Sequence, residues 1–319
     1  MRGYVVTGPE SAALQQNVAV PEPGPGEVAL RIGATGLNFA DLLMVKGTYQ
    51  ATPPPPFIPG LEVCGTVTAL GPGTDGPSPG TRVAVFGGQG GLAEYGVFPA
   101  NRLVVVPDAM PSEIAAGFIV AWSTSHLALT HRARLRAGER LLVLGAAGGV
   151  GLTAVELGAK MGAEVVAVAR GADKLAVARN HGAHHLIDAD APDLRDQLRS
   201  LGGVDVVYDA VGGGAAKAAF RAIRPGGRYL VIGFASGEIP EFPANHILVK
   251  NIDLIGFYWG GYLDFDPSPV TDSIAALFAM YAAGEIRPHV SHVLPLDRVE
   301  EALALLRERK STGKIVVVP

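Results

Sequence analysis

Short apolar runs recur between residues 141 and 257, and stretches of helical periodicity separate them. Leu141–Leu144, Val165–Ala169, His185–Ile187, Val204–Tyr208, Arg228–Ile232 and Leu254–Phe257 read as strands. Val150–Lys160, Ala172–His181, Leu194–Leu201 and Ala215–Ile223 read as the helices between them. In the first of these helices Leu152, Val155, Leu157, Ala159 and Met161 supply the apolar positions. Strands alternating with helices predict a doubly wound parallel sheet, an α/β fold of Rossmann type.

Before residue 120 the pattern is different. Tyr4–Thr7, Val28–Ile32, Val63–Leu70, Arg82–Phe86 and Leu103–Val106 read as strands divided by turns. The prolines of Pro21–Glu27 exclude a helix there. Asn38–Met44 predicts a short helical turn with Asn38 as N-cap. Thr52–Gly60 is an extended proline-rich surface loop, and Gly71–Gly80 is a turn-rich connection. Ser112–Leu129 reads as helix, with Ser112 as N-cap after Pro111. Beyond Gly260, Thr271–Ala283 and Asp297–Arg309 read as helices and Lys314–Val318 as a final strand. That strand has no sheet in its own segment, so it is expected to return to the first domain. The expected division is a discontinuous domain of residues 1–119 and 260–319, with residues 120–259 inserted.

A chain of 319 residues fits two domains. Its net charge of -4 and the absence of a basic block argue against a nucleic-acid partner. The single cysteine, Cys64, excludes an intrachain disulfide and suits a reducing compartment. MRGYVVTGPE has no signal-peptide core, and no apolar run is long enough for a transmembrane helix. A cytoplasmic protein without a membrane partner is therefore expected.

The chemistry concentrates in the turn from Gly145 to Gly151. Ala146, Gly148 and Gly151 take the places of the three small residues of G-x-G-x-x-G, with Ala147, Gly149 and Val150 between them. Strand, turn, helix and second strand are all present, which makes the motif a dinucleotide cradle with pyrophosphate at the helix N-terminus. An acid after the second strand would bind the ribose 2′-OH of NAD. Here Arg170 stands there, followed by Lys174. Cations at this place favour NADPH, the alternative being two ordinary surface charges. Val211 and Gly212, and Gly233 and Phe234, follow later strands and are expected along the cofactor.

PEPGPGEVALRI, GLNFADLLMVKGTY, PGLEVCGTV, AAGGVG, DVVYDAVG, RPGGRYLVIG and STGKIVVV together resemble the zinc-independent quinone oxidoreductase (zeta-crystallin-like) branch of the medium-chain dehydrogenase/reductase superfamily. The resemblance spans nearly the whole chain. It implies a GroES-like, partly open β-barrel catalytic domain completed by the C-terminal segment, beside the Rossmann domain. Zinc relatives carry Gly-His-Glu after the proline-rich loop, where this chain has Gly60-Leu61-Glu62. The cysteine expected before the short helix is replaced around Gly36-Leu37-Asn38, and a four-cysteine lobe is impossible with one cysteine. No metal is expected. His181, His184, His185, His289 and His292 are read as packing or surface residues.

The resemblance further implies that Asn38 and Asp41 line the substrate side near the nicotinamide, the alternatives being that Asn38 satisfies backbone groups around its turn and that Asp41 is a helix-turn residue. It puts Tyr49 at the cleft mouth, as a proton donor or as a packing residue. Thr124 would meet the nicotinamide amide, and Lys314 would lie near the cofactor. Phe257, Tyr258 and Trp259 would pass close to nicotinamide or substrate, or else Tyr258 and Trp259 serve as core or dimer-interface aromatics. Without zinc to polarise an alcohol, the acceptor should already be electron-poor. The leading expectation is an NADPH-dependent quinone oxidoreductase acting on a small molecule. The alternatives are an enone, enal or enoyl-thioester reductase, and an NADPH-binding structural or regulatory protein. A homodimer joined at the sheet edge near Ile252–Tyr258 is expected from the family.

Overall fold

The computed structural model describes residues 1–319, which separate into two compact units. Met1–Val120 with Pro288–Pro319 form one, and Ala121–Arg287 form the other.

The second unit is the doubly wound sheet. Its six parallel strands follow the order His185–Asp188, Glu164–Ala169, Arg140–Leu144, Val204–Asp209, Ile223–Val231, Asp253–Gly256. The central strand explains the apolar run: Leu141 to Leu144 are completely buried between two neighbours. Chain order reverses between Arg140–Leu144 and Val204–Asp209. Ligands of such sheets bind at that reversal, beyond the carboxyl ends of the strands. The helices Gly149–Lys160, Ala172–Asn180, Leu194–Ser200 and Gly213–Ala222 lie where the periodicity predicts them.

The first unit is a curled, mainly antiparallel sheet of seven strands. Glu27–Gly36 is its hub. It pairs with Glu62–Leu70 along one edge. On the other edge Glu27 to Arg31 pair with Tyr95–Pro99, and Thr35 and Gly36 pair with Lys314–Val318. The alternation Val28, Leu30, Ile32 turns one face inward against Val63, Val67, Val83, Val85 and Phe98. The final strand does return to the first unit. It also takes Val290–Pro295 as a parallel neighbour, connected through the helix Val299–Arg307.

Three expectations need correction. Residues 260–287, expected in the first domain, belong to the second unit. The helices Trp259–Phe265 and Ser268–Ala282 bury Tyr262, Val270, Ser273 and Leu277 there, and Ser123 donates to Ser273 at 3.0 Å. The helix expected over Ser112–Leu129 is broken into Ser112–Ala116 and Ile119–Leu127. Gly117 ends the first piece, and a Cβ there would come within 3.1 Å of the Lys314 side chain. Pro111, not Ser112, holds the N-cap position. The short elements Ser11–Gln15, Tyr95–Pro99, Ala244–Lys250 and Val290–Pro295 are additional to the expected ones. No helix is long and apolar enough to cross a membrane.

Candidate active site

The glycine turn has the geometry of an anion cradle. Gly145 takes φ +74°, a left-handed conformation that glycine adopts without penalty. The tight turn is therefore made by Gly145, one residue before the alanine to which the motif assigned it. Ala146 and Ala147 are buried beneath it. The amides of Gly145 and Ala146 both donate to the carbonyl of Val168, each at 3.0 Å, which ties the turn to the neighbouring strand. Gly148 is the N-cap of Gly149–Lys160, and no side chain caps that helix. The first amides of the helix thus keep their hydrogens for an external acceptor.

The two following glycines act differently. A Cβ on Gly151 would stand 2.1 Å from the carbonyl oxygen of Gly145, so helix and turn close only with glycine. A Cβ on Gly148 would meet only that same oxygen, at 3.4 Å. The protein itself tolerates a larger residue at Gly148. The space it leaves free is the space a pyrophosphate needs.

The loop after Val204–Asp209 comes to the same place. A Cβ on Gly145 would stand 2.9 Å from Cγ2 of Val211. Buried Asp209 shapes that loop: its Oδ1 accepts the amides of Val211 and Gly212 at 2.8 and 2.9 Å, and its Oδ2 accepts the Tyr229 hydroxyl at 2.6 Å. Burial pushes the Asp209 carboxyl up, while these donors favour the charged form. The amides of Gly233 and Ala235 donate to the carbonyls of Asp209 and Ala210, joining the next loop to this one. Phe234 is exposed at its edge.

Arg170 follows the second strand with an exposed side chain, and its Nε lies 3.1 Å from Asp190. An exposed pair of this kind holds weakly and can be exchanged for a phosphate. Asp188 faces this region from the adjacent strand, but its oxygens accept the amides of Gly171 and Asp190. Lys174 lies in the first turn of Ala172–Asn180. The donor set therefore fits a dinucleotide with a 2′-phosphate.

The aromatic trio divides. Trp259 is buried, and its indole nitrogen donates to Ser123 at 2.9 Å. Phe257 is buried against Tyr262. Tyr258 alone is exposed. The cofactor contact expected of all three is thus open to Tyr258, while Trp259 and Phe257 are core residues of the second unit. Thr124 is buried on Ile119–Leu127, 7% exposed.

The first unit holds a second polar centre. Asn38 is the N-cap of Phe39–Lys46, and its amide donates to Asp41 Oδ2 at 2.8 Å. Asp41 Oδ1 accepts the amides of Gly60 and Leu61 at 2.9 and 3.1 Å. Asp41 is completely buried, and burial pushes its carboxyl up to about 6 against the pull of these amides and of Lys314. The catalytic role expected for Asp41 is corrected to a positioning one: it ties the proline-rich loop to the start of the short helix.

The Asn38 side chain is engaged elsewhere. Its Nδ2 donates to Glu62 Oε1 at 2.9 Å and to the Gly36 carbonyl at 3.2 Å, and its Oδ1 accepts Lys314 Nζ at 2.9 Å. Lys314 Nζ also donates to Glu62 Oε1 at 2.6 Å, and Glu62 Oε2 accepts the Val120 amide. Sequence reasoning missed Glu62 as a site residue. The signal was present as an acid in an otherwise apolar strand, one residue after the leucine that replaces a metal-binding histidine. Tyr49 is half-buried against the patch of Val6, Met44, Phe57 and Leu61.

Comparisons with known proteins bear on the fold and the family. Residues 24–108 match the alcohol dehydrogenase GroES-like domain, and residues 149–275 match the zinc-binding dehydrogenase domain. A quinone oxidoreductase-like protein 2 homolog of Nematostella vectensis is 37% identical over 92% of this chain and 82% of its own. A mycobacterial protein solved in complex with NADPH superposes with a TM-score of 0.93 at 30% identity, over 100% of both chains. The quinone oxidoreductase of Thermus thermophilus, solved alone and with NADPH, superposes at 0.85 with 34% identity, again over 100% of both chains.

Proposed function

The chain belongs to the quinone oxidoreductase-like branch of the medium-chain dehydrogenase/reductase superfamily, and from that membership we propose that it is a zinc-independent, NADPH-dependent quinone reductase. The observation that carries the cofactor is the uncapped helix at Gly148 beside a cation, Arg170, where NAD enzymes hold an acid. The amides of Gly149, Val150 and Gly151 would hold the pyrophosphate, and Arg170 with Lys174 the 2′-phosphate. NADPH, when bound, supplies a hydride from the nicotinamide.

The protein's own residues set what is reduced. Leu61 offers no metal ligand, and the Glu62 carboxylate is already neutralised by the Lys314 ammonium. A closed ion pair thus stands next to the leucine that replaces the metal-binding histidine. Such a pair has no metal ion's power to polarise an unactivated carbonyl. Quinones, already electron-poor, need no such polarisation. Both amide hydrogens of Asn38 are engaged, so Asn38 orients Lys314 and Glu62 and leaves direct donation to the acceptor to backbone amides or water. The Tyr49 hydroxyl or a water returns the proton.

The edge strand Asp253–Gly256 pairs on one side only, and Leu248, Val249 and Leu254 are exposed near it. Pairing of that edge with a second copy would give the homodimer.

The deciding experiment is NADPH oxidation with 9,10-phenanthrenequinone, run beside a panel of enones and enoyl thioesters. Turnover on quinones with little on the alkenes is expected. Turnover on alkenes alone would make the protein an ene-reductase. Tight NADPH binding without oxidation by any acceptor would remove the enzyme reading altogether.

A further inference from the structure

Three helices of the second unit each end on a cation: Arg199 on Leu194–Ser200, Arg221 on Gly213–Ala222 and Lys250 on Ala244–Lys250. Helices of a doubly wound sheet run opposite to its strands. Their last turns therefore gather at the amino ends of the strands, across the sheet from the glycine turn. There the three cations border one open hollow of about 290 Å³, together with Arg195 and His246. No carboxylate lines it. Arg195 is already paired, with Asp196 at 2.9 Å.

The remaining charges are partly compensated. The guanidinium groups of Arg199 and Arg221 make no hydrogen bond within the protein, and the Asp196 carboxylate near Arg199 is already paired with Arg195. Lys250 Nζ donates to the carbonyls of Arg221 and Ile223 at 3.1 and 2.8 Å, which leaves one of its three hydrogens unused. Desolvation, and then the nearby charge of Arg199, push the Lys250 ammonium below its ordinary value. The partial negative charge of helix carbonyls explains one cation per helix end. The sheet topology brings the three ends together, and no carboxylate lines the hollow between them, in a chain whose net charge is -4.

We propose that this hollow is a second anion site, which takes a small phosphorylated metabolite with its phosphate oxygens on Arg199, Arg221 and Lys250. Guanidinium groups match phosphate oxygens in geometry as well as charge. The volume exceeds that of a phosphate and leaves room for an attached organic body. His246 lies nearly parallel to Phe220, at 9° and 6.4 Å between ring centroids, and offers a flat rim for such a body.

Pyrophosphate is the probe. Thermal unfolding is followed in a phosphate-free buffer, against sodium chloride of equal ionic strength, with and without saturating NADPH. We expect pyrophosphate to raise the melting temperature beyond the salt control and to add to the NADPH shift. The Arg199→Gln/Arg221→Gln variant should melt close to the parent without pyrophosphate, because relieved repulsion offsets the lost helix-end interactions, and should lose the pyrophosphate shift. Titration calorimetry on the single variant Arg221→Gln should show binding weakened about tenfold, which keeps the test open if the double variant folds poorly. A shift equal to that of salt would overturn the proposal. So would a shift that survives in the double variant, or one abolished by NADPH, which would assign the probe to the dinucleotide site.

Discussion

The Lys314 ammonium and the Glu62 carboxylate meet at 2.6 Å across 252 residues of sequence, with side chains 7% and 1% exposed. Removing one partner leaves the other charged and buried. Lys314→Met should therefore cost about 3–5 kcal/mol, read by denaturant unfolding. Glu62→Gln/Lys314→Met should recover much of that loss. Additive effects in the double-mutant cycle would show that the pair does not act as one.

Asp41 should leave a pH signature. Its native carboxyl, pushed up to about 6, binds a proton more tightly than the unfolded chain does near the ordinary 3.8. The stabilising contribution is then full below the unfolded value and is lost as pH rises through the native one. The span amounts to about 3 kcal/mol. Relative to Asp41→Asn, the parent should lose stability between these pH values. Parallel curves would mean that the three amides hold the carboxylate charged throughout.

Gly148→Ala and Gly151→Ala should separate binding from folding. The first meets only one oxygen, at 3.4 Å, so its melting temperature should stay near the parent's while NADPH affinity falls at least about tenfold. The second meets backbone at 2.1 Å and should lose stability as well. Equal melting losses in the two would contradict the distinct roles given to these glycines.

Arg170→Asp should invert the cofactor preference. The change removes a cation and adds an acid where a 2′-phosphate would lie. KM for NADPH should rise by more than about tenfold while KM for NADH changes little. An unchanged preference would assign Arg170 to Asp190 alone.

Tyr49→Phe keeps the packing against Met44 and Phe57 and removes only the hydroxyl. If that hydroxyl donates the proton, turnover falls and its solvent isotope effect changes. Full activity would leave the proton to water.

The doubly wound sheet was legible because its strands are buried on both faces and its helices are long enough to show a period. Leu141 to Leu144 can be little else. Short elements such as Ser11–Gln15, with alternate residues exposed, carry little pattern, and they were missed. The glycine turn was legible as chemistry, although Gly145 rather than Ala146 makes the bend. The Glu62 cluster was not legible, because Asn38, Glu62 and Lys314 are brought together by strand register and by nothing local. Trp259 shows the converse. Its position in the chain pointed to a ligand, and only its hydrogen bond to Ser123 assigns it to the core.

The last strand, Lys314–Val318, has a consequence for the order of assembly. It lies beside Glu27–Gly36, so the first unit is held by both ends of the chain. During synthesis the first 120 residues emerge with no strand for the Thr35–Gly36 edge and no counter-charge for Glu62. Ala121–Arg287, by contrast, is contiguous and emerges with all its strands. The dinucleotide unit can then fold while the chain is still growing, and the catalytic unit closes only when its final residues arrive. A ribosome-stalled chain ending before Lys314 should therefore bind NADPH's adenosine half with its catalytic unit still open to protease.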